Sequence, residues 1–238
     1  EGIRPDLVVL EVLPPMLNQP PGEPVPLEET WLNAARLRDS ERSRMRLYTN
    51  DPRRWLRQWL KARTLPCVWN QANLRRLLGV DAGDRLTRAE GLIGMDRSGW
   101  LPCGSDEVSP ADRRARAEGA RRQYSNTRGE FHLAAGPARA LADDLALCRR
   151  QGIPVALLLM PEGPYFRDQY TTSVRAGIDA HLRGLGERWG VPLIDARDWF
   201  GDDAFLDSHH LLPRGAAAFT ERFGREGLGA LLRGLPRR

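Results

Sequence analysis

The feature that most constrains this chain is a short junction that occurs twice. Gly152-Ile153-Pro154 and Gly190-Val191-Pro192 each join a glycine, a β-branched residue and a proline, and apolar runs follow at 155–160 and 193–196. Glycine takes the left-handed conformation that ends a helix, and proline is tolerated where a strand begins. Upstream of the first junction, Leu141, Leu145 and Cys148 recur at four and three residues. Upstream of the second, Val174, Ile178, Leu182, Leu185 and Trp189 do likewise. That spacing lines one face of a helix. A third apolar run spans 7–12, and all three are continuous rather than alternating, as in a parallel sheet covered on both faces. The expected fold is an α/β layered domain.

The remaining segments fit around those units. Residues 1–27 supply the first strand and a proline-rich exit, "LPPMLNQPPGEPVPL". Residues 28–130 read as a mainly helical, arginine-rich insertion or lid, and 131–238 return to the α/β domain. Within the insertion, "DPRRWLRQWLKARTLP" predicts an amphipathic helix with Asp51 near its N-cap and Pro52 in its first turn. Trp55, Leu56, Trp59 and Leu60 form its expected apolar face, a stripe that suits core or interface. A last helix begins near Pro213 and carries Phe219 and Phe223 on one side.

Charge argues against a nucleic-acid partner despite a net +5 and a pI near 9.6. Lys61 is the only lysine, and the arginines are interspersed with acids, as in "RLRDSERSRMR", without a single-sign block. No apolar run is long enough to cross a bilayer. Cys67, Cys103 and Cys148 show no zinc spacing, and Cys148 falls on an apolar helical stripe; a Cys67–Cys103 bridge stays open. The chain begins with Glu1, so it is expected to be a segment of a longer polypeptide without a visible targeting signal of its own.

Chemistry concentrates in "FLDSHHLLPRGAAAF", 205–219, which holds two of the four histidines. Ligands of parallel α/β sheets sit beyond the carboxyl ends of the strands, and this segment follows the 193–196 strand. An aspartate bonded to one imidazole nitrogen fixes the tautomer and leaves the other nitrogen to accept a proton. Asp207 and His210, three apart in a turn, can do this. The plainer reading makes Asp207 a turn or capping residue for the following helix. A metal centre of Asp207, His209 and His210 is a third reading; against it, neighbouring side chains in an extended loop point apart. Glu162 ends the 155–160 strand, and with Tyr165, Arg167 and Tyr170 it can line a pocket.

The stretch Asp207-Ser208-His209-His210-Leu211-Leu212-Pro213-Arg214-Gly215 resembles the D-x-x-H-L-x-P-x-G signature of SGNH (GDSL-like) hydrolases. "PDLVVLEVLPP" and "GIPVALLLMPEGPYF" look like a bacterial subgroup of the same superfamily. The resemblance implies a three-layer, flavodoxin-like parallel sheet whose N-terminal strands are missing from this chain. It implies a serine esterase or O-acyltransferase with His210 as base and Asp207 as orienting acid, needing no cofactor or metal. Ester groups of small molecules, carbohydrates or cell-surface polymers are the implied substrates. The G-D-S nucleophile block does not follow a strand here; Ser105 stands in a proline-containing loop, so the nucleophile strand is expected upstream. The G-x-N-D oxyanion block is replaced by Leu13, Pro14 and Pro15, with Asn18 as a substitute donor. His209, Glu162, Tyr165 and Asn18 are the expected substrate contacts. Competing readings are a catalytically silent binding module of the same fold and a metal-dependent phosphoesterase.

Overall fold

A computed structural model describes residues 5–23, 37–49, 51–65 and 107–233. In chain order its elements are β1 (Val8–Val12), α1 (Arg42–Met45), α2 (Pro52–Thr64), α3 (Pro110–Gln123), α4 (Ala135–Gln151) and β2 (Val155–Leu159). There follow α5 (Pro164–Arg167), α6 (Thr172–Trp189), β3 (Leu193–Asp195), α7 (Pro213–Arg222), a π-helical turn (Phe223–Leu228) and α8 (Gly229–Arg233).

The three apolar runs are parallel neighbours in the order β1-β2-β3. Val8 pairs with Val155 and Val12 with Leu159, while Leu157 pairs with Leu193 and Leu159 with Asp195. Every residue of β2 is buried, because the central strand is covered on both faces. Alternation divides its side chains. Val155, Leu157 and Leu159 join Leu145 and Cys148 of α4 and Val174, Ile178, Leu182 and Leu185 of α6 in one core. Leu158 turns the other way and joins Ala196 and Phe219, with Val9, Ile194, Trp199 and Phe223 against them. Each fully buried leucine of β2 contributes about 1.5–3 kcal/mol by removal from water. The sequence motif performs as its chemistry dictates: Gly152 and Gly190 close α4 and α6 with φ of 63° and 65°.

The chain divides into two compact units, 1–26 with 103–238, and 27–102. The first holds the sheet and also α3, which sequence composition groups with the insertion. In the second, Asp51 caps α2 by accepting from the Arg54 backbone N–H at 2.8 Å. Trp55 and Trp59 are buried with Met45, and the Arg42 and Arg63 guanidinium groups each lie 5.1 Å from the Trp59 ring centre. The expected apolar face is only half realised: Leu56 and Leu60 stay 41% and 43% exposed. Helical periodicity places these four residues together but does not dictate how wide a face the neighbouring chain covers. The helix 3₁₀ turn Pro14–Leu17 follows β1 directly, giving the proline-rich exit its first ordered step. Cys148 is a buried free thiol, whereas Cys67, Cys103 and Ser105 lie outside the described residues.

Candidate functional site

The loop between β3 and α7 is closed on itself before it presents any side chain. Leu212 N–H donates to Ala204 O at 2.9 Å and Leu206 N–H to His210 O at 2.8 Å, with a bridge between Phe205 and Leu211. Residues 207–209 therefore form the tip of a short closed loop. Ser208, buried, adopts φ 69°, the one non-glycine residue with positive φ among those described. Such a conformation costs about 1–2 kcal/mol and persists where surrounding bonds enforce it. Here the Ser208 hydroxyl donates to Asp202 Oδ1 at 2.6 Å and accepts from Phe166 N–H at 3.1 Å. Its carbonyl accepts from Gly163 N–H at 2.7 Å. Gly163 must be glycine: a Cβ there would stand 2.3 Å from Ser208 Oγ.

The left-handed step at Ser208 gathers both histidines around one carboxylate. Asp207 Oδ1 accepts from the backbone N–H groups of His209 and His210 at 3.2 and 2.8 Å. Asp207 Oδ2 lies 2.7 Å from His210 Nδ1. The two imidazole centres are only 3.8 Å apart. The expectation that adjacent histidines point apart is thus overturned, because the loop is a tight turn rather than an extended strand. Of the plainer reading, the turn half holds, because Asp207 Oδ1 closes the turn through the His209 and His210 N–H groups. The capping half fails, since Leu212 is the N-cap residue of α7 and Asp207 lies six positions before Pro213. Burial alone would raise the Asp207 carboxyl pKa, but the flanking imidazoles of His209 and His210 outweigh it and hold it far below the usual carboxylate range. The hydrogen bond to Asp207 raises the His210 pKa against the opposing effect of burial, and the charges of Asp207 and Glu11 add to the rise. His210 is 59% exposed, whereas Asp207 is 15% exposed.

His209 occupies a different environment three bonds away. Its ring stacks on Phe166 at 5.1 Å and meets Tyr124 edge-on at 5.4 Å, leaving the side chain 8% exposed. Nδ1 comes within 3.2 Å of Asp207 Oδ1 but off the hydrogen-bonding line, and neither ring nitrogen has a hydrogen-bond partner among the described residues. Tyr124 reaches this box from the end of α3; burial and then the Asp207 charge push its phenol up to about 12.

A buried polar layer lies under the loop. Glu162 is 4% exposed, and Tyr170 OH donates to its Oε1 at 2.7 Å, while Oε2 has no partner among the described residues. Burial raises its pKa to about 7 despite the Tyr170 bond and the nearby Arg197 and Arg167 charges. Arg167 Nη1 donates to both Glu162 O and Arg197 O at 2.5 Å, and Glu162 N–H donates to Arg197 O at 3.0 Å. Arg197 in turn bonds Asp195 and Asp179. These bonds fasten the loop after β2 to the start of the loop after β3, and the Gly163 and Phe166 N–H groups tie the same loop to Ser208.

The remaining sequence candidates fall in several places. Tyr165 OH donates to Glu118, and the Arg121 guanidinium lies 4.6 Å from its ring centre. Asn18 is fully buried: its Nδ2 donates to Asn126 O at 2.5 Å and its Oδ1 accepts from His132 N–H at 2.7 Å. Asn126 returns a bond to Asn18 O, so the pair joins the exit of β1 to the segment before α4. His181 is half-buried on α6, and burial lowers its pKa. Sequence reasoning missed Glu11, near the carboxyl end of β1, whose carboxyl pKa is raised by desolvation and pulled down by His210. A carboxylate inside the apolar run "VVLEV" was the available signal. No comparable signal marks Tyr124 or Phe166, which tertiary packing delivers.

A protein-family model whose description names no activity matches residues 121–229. That span includes Tyr124, Glu162, Asp207, His209 and His210 but not β1, and it is less than half of the 238 residues. No curated protein and no solved structure matches the chain.

Proposed function

We propose that this chain carries the acid–base half of an SGNH-like serine esterase or O-acyltransferase built on a flavodoxin-like α/β domain. The observation that supports the reading is the 2.7 Å contact between Asp207 Oδ2 and His210 Nδ1 on an imidazole that is 59% exposed. The ionised Asp207 accepts a hydrogen bond from Nδ1–H and fixes the tautomer, so Nε2 holds a lone pair. Nε2 then takes the proton of a serine hydroxyl as its oxygen attacks an ester carbonyl. The proton passes to the departing alcohol, and water or a second hydroxyl resolves the acyl-enzyme by the same route in reverse. Asp207 and Glu11 stabilise the imidazolium while it carries the proton.

Ser208, the serine within the loop, donates its hydroxyl to Asp202. The SGNH signature puts the nucleophile at the end of a different strand, and the reading assigns it to a serine outside the described residues. The resemblance to SGNH hydrolases favours O-acyl groups on carbohydrates or cell-surface polymers as substrates. In aryl-acetate hydrolysis by the natural full-length protein, His210→Ala is expected to lower turnover by about 10³-fold or more, as for a triad member. Asp207→Asn should also be severe, because an amide favours the wrong tautomer, while His209→Ala should be much milder. Turnover surviving His210→Ala in a folded protein would remove the assignment.

A further inference from the structure

We propose that Asp207, His209 and His210 bind one Zn²⁺ ion, and that the bound ion acts as a brake on the base. The three side chains offer ligand atoms that all lie within 4.8 Å of one another. One imidazole and one carboxylate oxygen are already placed for it. His209 Nδ1 and Asp207 Oδ1 are 3.2 Å apart without a hydrogen bond between them. Two ligands each about 2.0–2.1 Å from a tetrahedral zinc stand roughly 3.3 Å from one another, so this edge needs little change. The His210 Nδ1 contact, at 2.7 Å, is to the other oxygen, Oδ2, so the carboxylate must turn to offer one oxygen to both imidazoles, with the His210 ring moving to roughly 3.3 Å from it. The exposed His210 ring has room to do so, whereas His209 is held by Phe166 and Tyr124.

The second observation is the state of His209 itself. In a ring that is 8% exposed neither nitrogen makes an aligned hydrogen bond, and Nδ1 only touches Asp207 Oδ1 at 3.2 Å, so polar atoms stay buried and unsatisfied at a cost. Coordination to a metal removes that cost at the ligating nitrogen. Two imidazoles and a carboxylate suit zinc, and three protein ligands leave a fourth position for water.

The braking step rests on the general-base reading given above. Zinc at His210 Nδ1 displaces the proton shared with Asp207: in the neutral ring that proton is taken up, through solvent, at Nε2, and in the doubly protonated ring it is released to solvent while the Nε2 proton stays. The ring then carries its one proton on Nε2, and a nitrogen that donates cannot accept a proton from a hydroxyl.

The test uses the natural full-length protein, stripped of metal by dialysis against a chelator and titrated with zinc chloride against a chromophoric competitor. Ester turnover is read in parallel. One zinc per chain is expected, with turnover falling as the site fills. His209→Ala should weaken binding by at least the ~10–100-fold that loss of a mere outer-shell partner costs. His209→Phe keeps the stacked ring and should weaken it equally while preserving the thermal melt. Absence of stoichiometric binding, or wild-type affinity in His209→Phe, overturns the site. Zinc bound through His209 with His210-dependent turnover unaffected overturns the brake but leaves the base intact. Zinc bound in this way by a protein showing no His210-dependent turnover keeps the site and removes the esterase reading.

Discussion

At the scale of single residues, two largely enclosed carboxyl groups, Asp207 at 15% exposure and Glu162 at 4%, behave oppositely. Asp207 receives two backbone N–H bonds and an imidazole, so its ionised form is stabilised in the folded state. A carboxyl depressed by folding contributes stability that is present above its unfolded value of about 3.9 and is lost as pH falls. Glu162 receives one hydroxyl and leaves Oε2 bare, so burial prevails and its pKa rises to about 7. The sign reverses: its contribution is present below the unfolded value, about 4.3, and is lost as pH climbs through 7. Glu162→Gln keeps an acceptor for Tyr170 OH and removes the charge. Relative to the wild type, it should gain about 1–3 kcal/mol in stability between pH 5 and pH 8.5, read from urea unfolding at each pH. A constant difference across that range would show that Glu162 is already ionised in the folded protein at pH 5.

At the scale of elements, the site depends on two loops being locked together, and Gly163 is where they touch. In Gly163→Ala the new methyl would meet Ser208 Oγ at 2.3 Å and Asp202 Oδ1 at 2.5 Å, so the loops must part. Overpacking of this kind costs about 1–3 kcal/mol, and the His210 resonance should shift although no atom of the dyad is altered. Gly184→Ala within α6 meets nothing within 4 Å and should be neutral or stabilising by about 0.5–1 kcal/mol. Equal melting temperatures for the two variants would mean that the clamp is absent. The elements themselves were legible because their signals are local. Continuous apolar runs name buried parallel strands, and Gly152 and Gly190 sit where a left-handed residue is required. Leu56 and Leu60 show the limit, since periodicity identifies a helix without revealing what covers it.

At the scale of the whole molecule, the site gathers residues whose sequence separations differ widely. Asp207 and His210 are three apart, so their pairing was readable from spacing. The closeness of His209 to His210 was not, because it depends on the positive φ of Ser208, which bonds to Asp202, Gly163 and Phe166 impose. Glu11 comes from β1 and Tyr124 from the end of α3, and neither carries a mark in sequence of where the other lies. Among the described residues, no helix is long and apolar enough to cross a membrane, and the sheet, α3 and α7 together build the face that bears the dyad.

The central claim is that Asp207 makes His210 a base with a fixed tautomer, and histidine titration by nuclear magnetic resonance reads this without any substrate. His210 should titrate above the ordinary value of about 6.5, with Nδ1 protonated in its neutral form, and His181 should titrate below it. A raised histidine holds its proton more tightly when folded. Its stabilising contribution is therefore complete below about pH 6.5 and disappears as pH rises through the folded value, which is where general-base activity should emerge. Asp207→Asn should bring His210 down toward 6.5 or below and shift the neutral proton to Nε2. A wild-type His210 that titrates at or below 6.5 and does not respond to Asp207→Asn would contradict the account.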